Sequence, residues 1–248
     1  MIGTIGVKKA TLYEKCRLPY AREAVNDLLG QTGNVQVVAD IGAGTGQLAR
    51  LFAARNRTVY AVEPDAAMRQ VGAAALGGLP GIEIVAGLAE QTTLAGESVD
   101  LIVIGNAFHR FRAEACDELR RILKKQGWIA LFAYHFTNTG WTEMLFSKLA
   151  ELNRLATRID QARHNTPVQD LFGDVRIQTL SYRQSQFEDW AAFLGAARAG
   201  IEAPEPDDRE YAEFEAINRQ AFDTFEVNGL LRIDYETEVS FGQPGARG

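Results

Sequence analysis

Three glycines between a predicted strand and a predicted helix are the part of this sequence best suited to chemistry. Gly42, Gly44 and Gly46 follow Val35–Asp40, a short run rich in β-branched residues that ends in an acid. Glycine tolerates positive φ and lets a ligand approach the backbone without a Cβ atom in the way. The N-terminus of a following helix adds free amide groups. The segment therefore predicts a loop that cradles the polar end of a cofactor.

Two kinds of cofactor fit such a loop: a dinucleotide through its pyrophosphate, or S-adenosylmethionine through its amino-acid end. The dinucleotide pattern G-x-G-x-x-G, begun at Gly42, would need glycine or alanine at position 47, where Gln47 stands. Begun at Gly44, it ends on Ala49, which is allowed, so this alternative stays open. Asp40 completes Asp-x-Gly-x-Gly-x-Gly and favours S-adenosylmethionine.

A second carboxylate, Glu63, ends the next predicted strand, and Pro64 suits the first turn of the helix after it. A carboxylate at a strand end can accept hydrogen bonds from both hydroxyls of a ribose, and NAD-binding folds use the same arrangement. Glu63 therefore indicates a nucleoside-containing ligand without separating the two cofactors.

The elements that position these groups alternate along the first half of the chain. Five runs are typical of strands: Val35–Asp40, Thr58–Glu63, Ile82–Val85, Val99–Ile104 and Trp128–Ala133. Apolar residues at helical spacing precede the first run, in Leu18–Leu29. The same spacing follows the first and fourth runs, in a helix with Leu48, Leu51 and Phe52 on its buried face and in a helix marked by Ala115, Leu119, Ile122 and Leu123. This alternation predicts a parallel, doubly wound sheet.

The pattern changes after Phe136. We predict helices over Thr142–Ile159, Phe187–Arg198 and Tyr211–Val227, and strands over Val175–Tyr182 and Leu230–Phe241. The fold class is thus α/β: a Rossmann-like, seven-stranded sheet, mostly parallel with an antiparallel C-terminal strand, plus helical cap insertions. We expect a single domain over residues 1–248, with a cofactor-binding core about 13–135 and cap elements about 136–174 and 184–228.

Taken together, these motifs resemble those of class I S-adenosylmethionine-dependent methyltransferases. The likeness is greatest to the small-molecule group that includes the quinone-biosynthesis and trans-aconitate methyltransferases. It runs from about Tyr13 to Phe132, with a fainter echo in the final strand. The resemblance implies S-adenosyl-L-methionine as cofactor, its methionine portion lying against Gly42, Ala43 and Gly44.

Further cofactor contacts are implied by the resemblance alone. Tyr13 and Arg17 belong to a Tyr…Arg-x-Pro-Tyr opening whose Tyr and Arg approach the cofactor carboxylate, which suits a cation. Asp40 would orient the glycine turn. The remaining contacts follow the second, third and fourth predicted strands: Glu63 and Pro64 at the ribose, Leu88 and Ala89 at the adenine, and Asn106 beside the sulfonium. Leu88 stands where the family usually has an acid.

Methyl transfer from a sulfonium is an in-line displacement, so the protein mostly supplies alignment and exclusion of water. A hydroxyl or phenol acceptor gains from a base, and histidine titrates in the right range. Of His109, His135 and His164, we interpret His109, after the fourth strand, as the catalytic base with His135 in reserve. A carboxylate acceptor would need no base. Six aromatic residues could line an apolar acceptor pocket or simply fill the core: Phe108, Tyr134, Phe136, Trp141, Phe187 and Trp190.

Composition narrows the class of partner. The net charge is −6, from 26 basic and 32 acidic residues, and no basic stripe stands out, so we expect a small-molecule substrate and no nucleic acid. Cys16 and Cys116 are isolated and no cluster has metal-ligand spacing, so we expect no metal and no disulfide. No run approaches the length of a membrane span, and we expect a cytoplasmic protein.

Three other functions stay open. The fold and cofactor could serve an enzyme without methyl transfer, such as a cyclase, or a catalytically silent cofactor-binding partner. A nicotinamide-dependent oxidoreductase comes last, because neither Tyr211 nor Tyr235 has a lysine four residues on. Oxygen is the methyl acceptor atom we favour, ahead of carbon or nitrogen. The sequence predicts no oligomeric state.

Overall fold

In the computed structural model, residues 6–152, 164 and 166–245 are described. Seven strands form one sheet in the order β3-β2-β1-β4-β5-β7-β6. Their bounds are β1 Val37–Ile41, β2 Thr58–Glu63, β3 Ile82–Ala86, β4 Val99–Gly105, β5 Leu123–Phe136, β6 Gln178–Glu188 and β7 Leu231–Gly242. Neighbouring strands from β3 to β5 are parallel, and β7 is antiparallel to both β5 and β6. The predicted Rossmann-like sheet with an antiparallel C-terminal strand is confirmed.

Helices cover both faces of the sheet and add a cap above its carboxyl edge. The helices around the first five strands are α1 Val7–Cys16, α2 Arg22–Thr32, α3 Ala66–Leu76 and α4 Glu114–Ile122. Those of the second half are α5 Thr139–Ala150, α6 Val168–Phe172, α7 Trp190–Arg198 and α8 Tyr211–Phe225. Short 3₁₀ turns lie at Ala49–Phe52 and Phe108–Arg110. Within the described residues, no helix is long and apolar enough to cross a membrane.

Burial on both faces explains why the central strands read as continuous apolar runs. Along β4, Leu101 and Val103 pack on the face that α2 covers, while Ile102 and Ile104 pack on the face that α4 covers. Parallel sheets covered by helices on both sides have this composition. The carboxyl ends of β1, β2, β3 and β4 consequently meet at one edge, where ligands bind in open α/β sheets.

The cap has its own aromatic core. Trp141 of α5 meets Phe136 edge-on with ring centroids 4.9 Å apart, and it meets Phe193 of α7 at 5.5 Å. Phe193 in turn packs on Phe222 of α8 at 5.7 Å. Tyr134 joins the same cluster. Edge-to-face pairs of this kind add about 0.5–1.5 kcal/mol each beyond the area that they bury.

Two of the six predicted pocket aromatics lie outside this cluster. Phe108 packs against Phe111 beside α4, at 6.0 Å. Phe187 is 63% exposed, because its side chain lies on the outer face of edge strand β6. Tyr134, Phe136, Trp141 and Trp190 remain together in the cap core.

Several local predictions are corrected by the structure. The helix expected around Leu48 and Phe52 is only the 3₁₀ turn Ala49–Phe52, because Gly46 before it has left-handed backbone at φ +84° and Ala53 after it leaves helical backbone at ψ 125°. Pro64 lies before the N-cap Asp65 of α3 and not in its first turn. The helix expected from Leu18 begins at Arg22, since the residue before Pro19 is disfavoured in helical backbone.

Element ends in the second half also differ. Strand β5 is longer at both ends than the predicted Trp128–Ala133, because its last eight residues pair with β7 and its first, Leu123, pairs with Val99 of β4. Strand β6 runs on to Glu188, so the helix expected from Phe187 begins at Trp190. The predicted helix Thr142–Ile159 is observed as α5, which ends at Ala150. Residues 153–159 of the predicted range lie outside the described residues.

Candidate functional site

The glycine turn after β1 is shaped by backbone that only glycine adopts readily. Gly42, Gly44 and Gly46 have φ of +71°, +59° and +84°. A Cβ on Gly42 would lie 2.9 Å from the Cβ of Ala107, and one on Gly46 would lie 2.5 Å from Leu76. On Gly44 the nearest atom would be in the Tyr13 ring at 3.7 Å. Glycine is thus needed for packing at the outer positions, and at the middle one the backbone faces Tyr13.

Glu63, at the end of β2, is bonded to this turn. Its Oε2 accepts a hydrogen bond from the Gly44 amide at 2.8 Å, and its Oε1 accepts one from the Asp65 amide at 2.9 Å. Burial raises the pKa of Glu63, and the two amide hydrogen bonds partly offset that rise. Each carboxylate oxygen keeps a further acceptor site. The acid is therefore held in place with acceptor capacity left for a ligand.

Asp40, on β1, lies beneath the turn and is 1% exposed. Its Oδ2 accepts a hydrogen bond from the Ala49 amide at 2.9 Å, which fixes the far end of the turn. Its Oδ1 is buried without a hydrogen-bond partner among the described residues. Burial raises the pKa of Asp40 to about 7, with the Ala49 amide opposing the rise and Glu63 adding to it.

Arg17 follows α1, and its guanidinium lies between two tyrosine rings. The distances from Cζ to the ring centroids are 5.0 Å for Tyr13 and 5.1 Å for Tyr134. Across the described part of the chain, Arg17 forms no salt bridge with an acid. A partly buried guanidinium without an acidic partner suits a ligand carboxylate. The structure therefore brings Tyr13 and Arg17 together at the glycine turn.

Helix α1 bonds the glycine turn on one side and the cap on the other. Glu14 forms an ion pair with Arg50 at 2.5 Å, and its carbonyl accepts a hydrogen bond from Gln47 at 3.1 Å. Near the other end of the helix, the Lys9 Nζ donates to the carbonyl of Ala203 at 2.6 Å and pairs with Glu205 at 3.2 Å. Sequence reasoning missed α1 as an element, although Tyr13 and Arg17 were named from it.

After β3, the segment expected at the adenine presents an apolar surface. Leu88 is 51% exposed and forms an isolated bridge with Gln91, while Ala89 is buried. An exposed leucine beside a strand end can pack against a flat ring, although it cannot accept a hydrogen bond. Pro64 is exposed next to Glu63, and its carbonyl accepts a hydrogen bond from Arg69 at 2.7 Å.

Asn106, directly after β4, has left-handed backbone at φ +49°. Its amide donates to the carbonyl of Phe132 at 2.9 Å, and its side-chain Nδ2 donates to the Tyr20 hydroxyl at 3.0 Å. Tyr20 was not among the predicted site residues. The signal that could have indicated it is its place as the last residue of the Tyr…Arg-x-Pro-Tyr opening.

The histidines are placed differently. His109 is partly buried on the 3₁₀ turn three residues after Asn106, and its carbonyl accepts a hydrogen bond from the His164 amide at 2.9 Å. His135 is exposed near the end of β5, opposite Glu236 of β7. Both lie at the carboxyl edge of the sheet. Only His109 lies on the loop that contacts the glycine turn, through Ala107.

This donor set fits an adenosyl amino acid. A carboxylate with spare acceptor capacity ends β2, and an apolar surface follows β3. An arginine without an acidic partner in the described chain lies over the Tyr13 ring, which faces Gly44. These groups match in turn a ribose diol, an aromatic base and a carboxylate.

A sheet of this order, with a glycine turn after its first strand and an acid ending its second, defines the class I S-adenosylmethionine-dependent methyltransferases. The cofactor of that class is S-adenosyl-L-methionine. Residues 39–131 match the family model described as a methyltransferase domain. The resemblance to class I S-adenosylmethionine-dependent methyltransferases that the sequence indicated is confirmed for this part of the chain.

Relatives of known sequence agree. The chain is 36% identical over 120 residues to an uncharacterized methyltransferase of Mycobacterium tuberculosis, which covers 48% of this chain and 47% of the relative. It is 34% identical over 108 residues to the ubiquinone/menaquinone biosynthesis C-methyltransferase of Rubrivivax gelatinosus, covering 43% and 41%. The chain spans about half the length of the curated relatives it matches.

Solved structures share the fold across nearly the whole chain. A candidate type II methyltransferase from Anaeromyxobacter dehalogenans superposes with a TM-score of 0.60 at 22% identity, covering 92% of this chain and 99% of that one. The YcgJ protein of Bacillus subtilis superposes with a TM-score of 0.55 at 19% identity, covering 91% and 100%. At these identities the likeness shows the fold.

Proposed function

We propose that this protein transfers the methyl group of S-adenosylmethionine to an oxygen atom of a small-molecule acceptor. The observation that carries the proposal is the hydrogen bond between the Gly44 amide and the Glu63 carboxylate, with Arg17 nearby and without an acidic partner in the described chain. This hydrogen bond joins the glycine turn after β1 to the acid that ends β2, at the carboxyl edge of the sheet. The bound cofactor supplies an activated methyl group on a sulfonium.

The roles of the chain's residues follow from their chemistry. Glu63 accepts hydrogen bonds from the ribose, and Arg17 with Tyr13 holds the cofactor carboxylate. Leu88 and Ala89 pack against the adenine. Asp40 supports the turn through the Ala49 amide. Pro64 and Asn106 contact the cofactor at the ends of β2 and β4.

The acceptor occupies the space between the carboxyl edge and the cap. Aromatic residues of the cap core exclude water from this region, and a dry site strengthens electrostatic interactions. His109 acts as general base for a hydroxyl acceptor, because it is partly buried on the loop after β4. His135 is exposed and is the weaker candidate. The net charge of −6 favours a small molecule over nucleic acid.

Isothermal titration tests the cofactor site. Wild-type protein is titrated with S-adenosylmethionine, S-adenosylhomocysteine and NAD, and the titrations are repeated on Glu63→Ala and Glu83→Ala. Glu83 is an exposed acid of β3 and serves as the matched control. We expect micromolar binding of both adenosyl ligands, a loss of about 30–100-fold in Glu63→Ala, and no change in the control. Binding of NAD alone would overturn the proposal.

Turnover tests the base. Once an acceptor supports methyl transfer, His109→Ala and His135→Ala are compared across pH. A general base contributes about 10²–10⁴-fold, so His109→Ala should lose at least 100-fold in kcat while His135→Ala keeps most of it. Full turnover in His109→Ala would remove the histidine from the mechanism and leave methyl transfer to a carboxylate oxygen, which needs no base.

A further inference from the structure

We infer that Tyr20 is a positioning residue for methyl transfer, since its hydroxyl holds Asn106 and the end of β4 in the geometry that the reaction needs. The inference rests on the proposed function and deepens it. Tyr20 lies in the loop between α1 and α2, outside the glycine turn and outside every predicted contact. Three features of the structure place it against Asn106 at the carboxyl end of β4.

The first feature is the fit of the Tyr20 hydroxyl over the end of β4. A Cβ added to Gly105 would lie 2.8 Å from that hydroxyl oxygen and 3.3 Å from Cζ. Gly105 does not have positive φ, so glycine is needed here for the close approach of Tyr20 and not for backbone freedom. The absence of a side chain at this strand end is therefore what admits the phenol.

The second feature is the constraint on Asn106. Its backbone is left-handed, and its amide is bonded to the carbonyl of Phe132. The hydrogen bond from Nδ2 to Tyr20 fixes the remaining freedom, the rotation of the side-chain amide. Fixing the nitrogen also sets the direction of the carbonyl oxygen. An amide so held costs less to order when a ligand binds.

The third feature is the rigidity and charge of Tyr20. Its ring packs edge-on against Phe132 at 5.8 Å and tilts against Tyr134 at 6.0 Å. Burial raises the pKa of Tyr20 well above its ordinary value, Tyr13, Tyr134 and Asp40 raise it further, and Arg17 opposes them. The phenol therefore stays neutral and accepts the Asn106 hydrogen bond at every working pH. It positions a neighbour and does not act as a base.

Tyr20→Phe removes the hydroxyl and keeps the ring. The matched control is Tyr182→Phe, which removes a tyrosine–carboxylate hydrogen bond, to Asp27, on edge strand β6. Both variants should fold with melting temperatures within about 5 °C of wild type, because one hydrogen bond contributes about 1 kcal/mol. Without ligand, we expect hydrogen exchange of the Asn106 side-chain amide, assigned by its loss in Asn106→Asp, to accelerate in Tyr20→Phe alone. Unchanged exchange would overturn the inference.

Ligand binding and turnover separate positioning from general damage. We expect Tyr20→Phe to lower kcat about 10-fold or more, with the KM for acceptor and the Kd for S-adenosylhomocysteine within about threefold of wild type. If Tyr20 acts through Asn106, the double variant Tyr20→Phe/Asn106→Ala should be no slower than Asn106→Ala. Wild-type kcat in Tyr20→Phe, or additive losses, would overturn the inference. Failure of wild-type protein to bind S-adenosylhomocysteine would instead overturn the proposed function.

Discussion

In the cofactor-binding half, buried acids are bonded to backbone, whereas in the cap, aromatic rings are packed on one another. Glu63 and Asp40 accept hydrogen bonds from the amides of Gly44, Asp65 and Ala49. The cap core holds its shape through rings whose exact identity matters less than their volume. The first half is therefore held by specific hydrogen bonds between side chains and backbone, and the second by apolar packing of its rings.

The largest expected effect tests whether the first half depends on the backbone conformation of the glycine turn. In Gly46→Ala, the new Cβ meets Leu76 at 2.5 Å and the residue must keep φ at +84°. We expect the free energy of unfolding to fall by about 3–5 kcal/mol, measured by urea denaturation. The matched control is Gly30→Ala in α2, where nothing lies within 4 Å, and it should gain up to about 1 kcal/mol. Equal effects at both positions would contradict this reading of the turn.

The next effect concerns Asp40 and pH. Because the pKa of Asp40 in the folded protein, about 7, lies above its ordinary value of 3.8, the native state binds one more proton than the unfolded chain between these pH values. The stability contributed by the protonated acid is thus present at low pH and is lost as pH rises through about 7. Between pH 5 and pH 8, wild type should lose about 2–3 kcal/mol more unfolding free energy than Asp40→Asn.

Urea unfolding of both proteins at the two pH values measures that difference. Asparagine can still accept the Ala49 hydrogen bond, so the comparison isolates the charge. Parallel pH dependence in wild type and Asp40→Asn would show that Asp40 does not titrate in this range.

A smaller effect is expected in the cap. Phe193→Leu replaces a buried ring that contacts Trp141 and Phe222 with a smaller apolar group. The free energy of unfolding should fall by about 1 kcal/mol, and calorimetric affinity for S-adenosylhomocysteine should stay within about twofold. A loss of affinity above fivefold would erase the distinction between the two regions.

The smallest effect is expected where the regions meet. Arg110, on the loop after β4, pairs with Glu202 of the cap, and both side chains are partly exposed. Glu202→Gln should cost about 0.5 kcal/mol or less in thermal unfolding, and less still in 0.5 M salt, since such pairs are screened. A loss of more than 2 kcal/mol in the free energy of unfolding would contradict this expectation and show that the ion pair is important for stability.

The sheet and the glycine turn were predictable because their determinants are local. The apolar run of β4 and the spacing of Gly42, Gly44 and Gly46 each occupy a few consecutive residues. The length of the following helix was not predictable, because apolar spacing at Leu48 and Phe52 does not show that Gly46 has positive φ. The carboxyl end of β5 was set by pairing with a strand about a hundred residues away.

The site shows the same division. Asp40 and Glu63 follow strands and could be named from the sequence, and their predicted roles stay predictions. Tyr20 could be noticed from the Tyr…Arg-x-Pro-Tyr opening, but its contact could not be predicted, because its hydrogen bond with Asn106 spans 86 residues and depends on Gly105 having no side chain. His109 was named from its place after β4 and His135 from its place near the end of β5, and their roles stay predictions.

Helix α1 connects the cofactor-binding half of the protein to the cap. It is bonded to the glycine turn through Glu14 and to the cap loop through Lys9. A ligand that changes the contacts of α1 at the glycine turn can, through this helix, also change its contacts with the cap loop. By reciprocity, an acceptor seated under the cap must then change cofactor affinity by the same factor by which the cofactor changes acceptor affinity. The sign of such coupling is set by which contacts of α1 each ligand changes, at Glu14 on one side and at Lys9 on the other.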